Sequence, residues 1–248
     1  MLTIDNFFDQ YSLNARIKPA LLIVSPLVVT AYILIEPLRT LLGTVLGIFV
    51  TCGLIHLLSI QMSTFGNRLQ KKLFLKWGGA PTTKILRHSD TALDRFTKER
   101  YRKKLVNLVP NFKNLTPSAE IKDSSKADEY YQSATKYLLE YTRDTSKYPL
   151  IFKENIAYGF SRNLLAFKST AITIILLSFL ISLTFLFLKI SELWVDWKSL
   201  AVIPVEYYVL FSIHIIFILV WIFMIDEEFV RIRGEAYAKR LFSACEDI

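Results

Sequence analysis

A run of basic residues interleaved with aromatic residues lies in the middle of this sequence. From Arg68 to Lys104, twelve Lys or Arg residues and four aromatic residues recur at short spacing. Cations bind phosphates and aromatic rings stack on nucleobases, so this composition is typical of sites for a nucleotide or a single-stranded oligonucleotide. The residues that we expect at such a ligand site are Lys76, Trp77, Lys84, Arg87, Arg95, Lys98, Arg100, Tyr101, Arg102, Lys103 and Lys104.

The same positive charge has a second explanation, which is a lipid surface. Lys and Arg residues next to a membrane-spanning helix attract anionic lipid headgroups with about 1 kcal/mol each. This accounts for the residues from Arg68 to Lys76, because they directly follow an apolar segment. It accounts less well for Arg95 to Lys104, which lie beyond a break at Gly78, Gly79 and Pro81. Both explanations stay open at this stage.

Motifs that carry catalysis are missing from the sequence. There is no phosphate-binding Gly-rich loop, HExxH, CxxC pair or nucleophile elbow. The histidines, His56, His88 and His214, are far apart in the chain. We therefore predict no catalytic residue, no metal site and no cofactor, and a protein that is not an enzyme. His214 lies inside an apolar segment, where we favour a neutral, hydrogen-bonded ring over a functional ionisable group.

Two apolar segments precede the basic region and two follow it, and these four segments must position its residues. None contains a charged side chain, and at about 1.5 Å per residue each is long enough as a helix to cross roughly 30 Å of hydrocarbon. With 52% hydrophobic residues and a mean hydropathy of +0.35, the chain is not an ordinary soluble domain. The segments are Pro19–Ile35, Thr40–Ile60, Thr170–Leu188 and Tyr207–Ile225. They predict an all-α integral membrane protein.

The distribution of Lys and Arg predicts the orientation in the membrane. Thirteen of these residues lie close to the segment ends on one side, against Arg39, Lys189 and Lys198 on the other. By the positive-inside rule, the N-terminus, the central region and the C-terminus face the cytoplasm. The predicted location is the bacterial inner membrane, with the lipid bilayer as a partner.

The predicted organisation is two transmembrane helical hairpins with a helical cytoplasmic domain inserted between them. Residues 62–169 carry 21 Lys or Arg and ten Asp or Glu, a net charge of +11. The helix of the second apolar segment is expected to continue to Trp77, and further helices are expected over residues 90–108 and 126–141 and from residue 152 into the third apolar segment. The predicted regions are an amphipathic segment at 1–18, a hairpin at 19–61, the basic domain at 62–169, a second hairpin at 170–225 with an external loop at 189–206, and a cytoplasmic tail at 226–248.

A stripe of small and polar residues lies on the second apolar segment. Its members recur at spacings of three and four and are Thr40, Gly43, Thr44, Gly47 and Thr51. Small residues let a second helix approach closely, while threonine hydroxyls suit the lining of a narrow pore. Four helices enclose no obvious aqueous path, so a conducting form requires an oligomer. The stripe therefore predicts either helix packing or a pore between several copies, for which we expect a tetramer.

Two blocks of the sequence resemble a family of bacterial four-span membrane effectors of anti-phage defence loci. The first block runs from Lys76 to Thr83 and continues with Leu86, Arg87 and Asp90. The second contains Glu154-Asn155, Tyr158-Gly159-Phe160 and Arg162-Asn163-Leu164. The architecture is similar to membrane effectors that are found beside nucleotidyltransferases, with the channel effector of the Hailong system as the comparison that we can name.

This resemblance implies an oligomeric ion channel that depolarises the inner membrane and is gated by a nucleotide or a short oligonucleotide such as oligodeoxyadenylate. It also implies a functional link to a nucleotidyltransferase. The resemblance assigns no ligand contact to any single residue. The alternative is a non-conducting membrane anchor or assembly partner, whose basic region binds anionic lipid or a protein.

Overall fold

The computed structural model describes residues 9–192 and 203–248, and within these ranges all regular secondary structure is helical. Short helical turns at Gln10–Ser12 and Leu13–Ile17 precede the first long helix, and others lie at Glu36–Arg39 and Ala244–Glu246. The remaining helices are α1 (Lys18–Leu34), α2 (Leu41–Lys76), α3 (Pro81–Lys84), α4 (Arg95–Leu108), α5 (Pro117–Lys122), α6 (Ser124–Tyr141), α7 (Pro149–Ala166), α8 (Lys168–Glu192), α9 (Val205–Phe223) and α10 (Glu227–Ser243).

Four of the described helices are long and apolar enough to cross a membrane. They include α1 with its preceding turns, the first part of α2, α8 and α9. These helices coincide with the four apolar segments of the sequence, so the prediction of an all-α chain with four potential membrane spans is confirmed. Residues 1–8 of the predicted amphipathic segment, and most of the predicted external loop with Trp194 and Trp197, lie outside the described residues.

The chain divides into two compact units. The apolar unit contains the described residues of Met1–Asn67 and of Arg162–Asp226, and the polar unit contains Arg68–Ser161 and Glu227–Ile248. The predicted basic domain, residues 62–169, contains the whole of Arg68–Ser161. The C-terminal region differs from the predicted tail, because α10 packs into the polar unit through Ala238, Leu241 and Phe242, all of them fully buried.

In the apolar unit, α1, α8 and α9 pack against one another and form what we call the three-helix group. Two polar side chains meet inside it. Thr30 Oγ1 lies 3.1 Å from His214 Nε2, and His214 Nδ1 lies 2.6 Å from the carbonyl oxygen of Leu210. Both side chains are buried. His214 therefore has a partner for each ring nitrogen, which fits the hydrogen-bonded ring that the sequence analysis favoured.

Pro26 lies inside α1, where it cannot donate a backbone hydrogen bond to the carbonyl oxygen of Leu22. The hydroxyl of Ser25 donates to that oxygen instead, at 3.1 Å. The side chain next to the proline thus replaces the lost bond, and α1 remains one continuous helix from Lys18 to Leu34.

Helix α2 behaves differently from the three-helix group. Its first 18 residues, 41–58, include no buried residue, and we call them the lone segment. Further along, Met62 is fully buried and the ring of Phe65 contacts that of Phe167, with 5.5 Å between centroids. The helix ends at Lys76, followed by Gly78 and Gly79 with φ angles of 71° and 138°. This end agrees with the break expected from the Gly-Gly pair.

The polar unit has its own hydrophobic core. Helices α4, α6 and α10 contribute buried residues such as Leu105, Leu138 and Leu241, and Ile85 and Leu86 follow α3 into the same cluster. Helix α4 begins at Arg95, five residues later than expected. Asp94 is its N-cap and accepts a hydrogen bond from the backbone N–H of Thr97, so the turn before it is not helical.

Candidate ligand groove

A groove crosses the surface of the polar unit between α4, α5 and the segment that leads into α4. Its volume is about 1370 Å³, which is more than a typical closed pocket for a small molecule. Four cations line the groove, namely Arg87, Arg95, Lys98 and Arg102. Five carboxylates also line it, namely Asp90, Asp94, Glu99, Glu120 and Asp128. Among the described residues that line it, His88 contributes an imidazole ring and none is Phe, Tyr or Trp, so its walls offer mainly ion pairing and hydrogen bonding.

Arg102 is the most deeply buried cation of the groove, with 1% of its surface exposed. Its guanidinium contacts the side chains of Glu120, Tyr131 and His88, and lies over the Tyr131 ring at 5.2 Å from the centroid. The Tyr131 hydroxyl in turn donates to Glu120. Burial and this bond to Glu120 raise the pKa of Tyr131, so the phenol keeps the proton that it donates.

The hydrogen bonds of Arg102 are incomplete. Its Nε–H is buried and has no acceptor, and the Nη2 to Glu120 Oε2 distance is 3.4 Å. His88 Nε2 lies against both Arg102 Nη1 and the carbonyl oxygen of Leu115, 2.8 Å away. One ring nitrogen cannot accept from the guanidinium and donate to a carbonyl at the same time. The site therefore holds a buried cation with more donors than acceptors.

Lys98 lies one helical turn before Arg102 on the same face of α4, and 5% of its surface is exposed. Its ammonium donates to the backbone carbonyl oxygens of Arg87, at 2.7 Å, and Asp90. Burial lowers the pKa of Lys98, the carboxylate of Asp90 opposes this shift, and the charge of Arg102 adds to it. Two cations at a spacing of four residues repel each other on a helix, so the pair costs stability unless an anion is near.

Arg87 and Asp128 form the best-defined ion pair of the groove. Arg87 Nε donates to Asp128 Oδ1 at 2.8 Å, and Nη2 donates to the second carboxylate oxygen. This bidentate bond raises the pKa of Arg87. A Cβ atom on Gly79 would lie 2.9 Å from Arg87 Nη2, so the glycine leaves room for the guanidinium to reach Asp128.

The remaining residues predicted for the ligand site are dispersed over the polar unit. Lys76 pairs with Glu227 at 2.6 Å, Lys103 pairs with Glu99 at 3.0 Å, and the ring of Trp77 lies 6.2 Å from that of Phe74. Tyr101 belongs to the core. Arg100 and Lys104 bind the C-terminal segment, where Arg100 pairs with Glu246 at 2.7 Å and Lys104 donates to the carbonyl oxygen of Cys245 at 2.7 Å. Lys84 lies beside Gly79.

The structure thus brings only part of the predicted set together. Arg87, Arg95, Lys98 and Arg102 line one groove, whereas the other predicted residues do not. Sequence reasoning missed Glu120, Asp128 and Tyr131, because helices α5 and α6 bring these residues to α4 and no local spacing indicates them. The one sequence signal for the groove was the four-residue spacing of Lys98 and Arg102, which places both side chains on the same face of a helix.

The stripe of the second apolar segment has a largely local role. Thr40 Oγ1 donates to the carbonyl oxygen of Pro37 at 2.7 Å and accepts from the backbone N–H of Gly43. Thr44 Oγ1 donates to the carbonyl oxygen of Leu38 at 2.9 Å. These bonds attach the start of α2 to the turn Glu36–Arg39. Among the described residues, a Cβ atom added to Gly47 would meet only a methyl group of Leu38, at 3.9 Å, and the Thr51 side chain has no hydrogen bond.

Comparison with known proteins assigns no function to the groove. No protein-family model matches the chain, and no curated protein or solved structure is significantly similar to it. No group of three or more potential metal ligands occurs within residues 9–192 and 203–248.

Proposed function

We propose that this protein is an oligomeric ion channel of the bacterial inner membrane, a defence effector that responds to a nucleotide or short oligonucleotide bound by the polar unit. In this proposal the four apolar helices form two transmembrane hairpins. The polar unit and both termini face the cytoplasm, as the distribution of Lys and Arg favours. The defence role rests on the resemblance of the blocks Lys76–Thr83 and Glu154–Leu164 to membrane effectors of anti-phage loci.

The observation that carries the channel proposal is the lone segment. Helices in a membrane associate through close van der Waals packing and interhelical hydrogen bonds. Residues 41–58 include no residue that their own chain buries, although three other apolar helices of the same unit pack together. Among the described residues, only a methyl group of Leu38 lies within 4 Å of a Cβ added to Gly47, so a neighbouring helix could approach there. Neighbouring copies would supply the missing contacts, and a ring of such helices would place Thr51 towards a shared axis.

The groove supports the ligand part of the proposal. Helix α2 runs from the lone segment to Lys76, and the Gly-Gly turn that follows it leads to α3 and Arg87. A ligand that reorganises Arg87 and its neighbours would act on residues only a short distance along the chain from the end of α2. We propose that gating uses this connection.

The full-length protein in potassium-loaded liposomes tests the proposal. We expect ion flux, reported by a potential-sensitive dye, that differs between the presence and the absence of a short oligodeoxyadenylate. Binding of the oligonucleotide should weaken with salt, with a slope of about −0.7 per phosphate contact on a double-logarithmic plot. Correctly inserted protein that passes no ions in either condition would contradict the channel proposal.

A second function, a non-conducting membrane anchor, is favoured by the ion pairs of the polar unit. Of the nine cations predicted to bind ligand, all but Lys84 and Arg95 contact carboxylates or carbonyl oxygens of their own unit. Much of the positive charge therefore serves folding. The anchor would insert into liposomes and bind anionic lipid without changing the flux of ions.

A further inference from the structure

The hydrogen-bond acceptors and donors that line the groove differ in how many of them already have partners within the protein. Each of the five carboxylates already receives a hydrogen bond or an ion pair. Asp90 and Asp94 accept from the backbone N–H groups of Ala92 and Thr97. Glu120 accepts from the Tyr131 hydroxyl and from the backbone N–H of His88. Glu99 pairs with Lys103, and Asp128 pairs with Arg87. Each carboxylate thus has a donor within the protein, although a carboxylate can accept about four hydrogen bonds and keeps further capacity.

The basic side retains unused capacity. The exposed guanidinium of Arg95 has no ion pair or hydrogen bond among the described residues. Arg102, almost fully buried, has an Nε–H without an acceptor. The Lys98 ammonium, which has three N–H bonds, uses two of them on carbonyl oxygens. Unpaired donors on buried cations cost free energy, and an oxyanion is the ligand that relieves this cost.

The neutral lining residues of the groove extend this donor set. Ser89, Thr91, Thr116 and Ser124 contribute hydroxyl groups, and Asn114 contributes an amide. Hydroxyl and amide donors bind phosphate oxygens well, and they suit the body of a sugar equally. A volume of about 1370 Å³ greatly exceeds that of a phosphate group. The groove therefore suits a phosphate that is attached to a larger polar molecule.

We propose that this groove is a phosphate-binding site in which Arg95 contacts the phosphate group at the surface while Lys98 and Arg102 supply buried positive charge behind it. This inference deepens the proposed function, on which its biological meaning rests, because it identifies which part of the polar unit reads the ligand. It also separates the ligand site from Arg100 and Lys104, which bind the C-terminal segment, and from Lys103, whose ammonium pairs with Glu99.

Thermal unfolding of the detergent-solubilised full-length chain tests the site directly. The probes are deoxyadenosine monophosphate, glycerol phosphate and deoxyadenosine. A ligand that binds only the folded state raises the melting temperature in a saturable manner. We expect both phosphate probes to do so and deoxyadenosine, which lacks the phosphate, to have no effect. Glycerol phosphate acting alone would identify the source of the ligand as a lipid headgroup.

Substitutions test whether the phosphate probe binds in the groove. Arg95→Ala removes an exposed side chain, so it should fold normally and require about tenfold more deoxyadenosine monophosphate for the half-maximal shift. Arg102→Lys keeps the charge but removes Nε, and should weaken the response at least as much. Lys136→Ala is the matched control, because Lys136 is an exposed cation of α6 outside the groove. If Arg102→Lys does not fold, Arg95→Ala decides the matter alone.

Two results would overturn the site. One is a phosphate response that is equal in the wild type, Arg95→Ala and Lys136→Ala, because that would be binding elsewhere or a general salt effect. The other is no difference between deoxyadenosine monophosphate and deoxyadenosine. Because no ion flux enters this assay, a protein that binds phosphate but does not conduct would refute the channel and keep the site, and the reverse result would refute the site alone.

Discussion

The three-helix group and the lone segment have nearly the same kind of sequence but different surroundings. All are apolar helices without a charged side chain in their central parts. In the three-helix group, Ser178 and Ser182 are fully buried and donate to carbonyl oxygens of Ile174 and Ser178 one turn earlier. In the lone segment, the Thr44 hydroxyl holds the preceding turn, and the Thr51 hydroxyl has no hydrogen bond among the described residues.

This difference separates what amino-acid composition determines, the preference of a helix for an apolar environment, from what specific contacts determine, its packing against other helices. Hydropathy determines that a helix prefers hydrocarbon, and all four helices share this property. Which helix finds neighbours in its own chain depends on shape and on a few polar contacts, such as the pair Thr30 and His214. Residues 41–58 include no buried residue among the described part of the chain, so in the proposed membrane setting lipid or other copies cover the lone segment.

The largest expected effect is at the turn that positions the lone segment. A Cβ atom on Gly43 would lie 1.9 Å from the carbonyl oxygen of Pro37 and 2.8 Å from its carbon. Backbone atoms cannot move aside cheaply, so Gly43→Ala should lower the free energy of unfolding by on the order of 3 kcal/mol. The melting temperature in detergent measures this loss.

Gly53→Ala is the matched control in the same helix. No atom lies within 4 Å of an added Cβ at Gly53, and alanine is the better helix former by about 1 kcal/mol. This variant should be as stable as the wild type or more so. Equal losses in the two variants would show that the turn does not hold α2 as described.

The next effect concerns a buried link in the apolar unit. Asn163 is fully buried and donates through Nδ2 to the carbonyl oxygen of Ala15 at 2.6 Å. Ala15 lies in the π-helical turn Leu13–Ile17, where the usual helical partners are shifted. Asn163→Leu leaves this carbonyl without a donor, so we expect a loss of about 2 kcal/mol in the free energy of unfolding.

Asn14→Ala provides the comparison for this link. Asn14 donates to the carbonyl oxygen of Gln10 at 2.7 Å, but the bond is exposed to solvent. Water replaces such a donor, so the melting temperature should hardly change. A loss at Asn14→Ala as large as at Asn163→Leu would remove the distinction between buried and exposed bonds.

A smaller effect is expected within the three-helix group. The contact between Thr30 and His214 joins α1 to α9, and a double-mutant cycle with Thr30→Val and His214→Phe isolates it. Hydrogen bonds between apolar helices in membranes contribute about 0.6 kcal/mol on average. We expect a coupling energy of that size from unfolding measurements in detergent. A coupling of zero would mean that shape alone packs the group.

The signals that predict the helices are local in the sequence, whereas the groove is formed by residues far apart in the chain. Runs without charges gave the four apolar helices, and Gly78 with Gly79 gave the end of α2, because these signals are local. The stripe of Thr40, Gly43, Thr44, Gly47 and Thr51 predicts packing or a pore, and no spacing in it indicates that Thr40 and Thr44 also bond to the preceding turn. The groove depends on Glu120 and Asp128, which only tertiary packing brings to α4.

The smallest expected effect on stability, and the most direct test of the comparison, is at Thr51. Valine has nearly the same shape as threonine, and the Thr51 hydroxyl has no hydrogen bond within its own chain among the described residues. Thr51→Val should therefore leave the melting temperature unchanged, whereas the same change at Thr30 should lower it. If the lone segment lines a pore between copies, Thr51→Val should nevertheless alter ion flux in liposomes, because it replaces a hydroxyl in the conducting path by a methyl group. If lipid surrounds the segment, flux and stability should both stay constant, and the lone segment would be a membrane anchor.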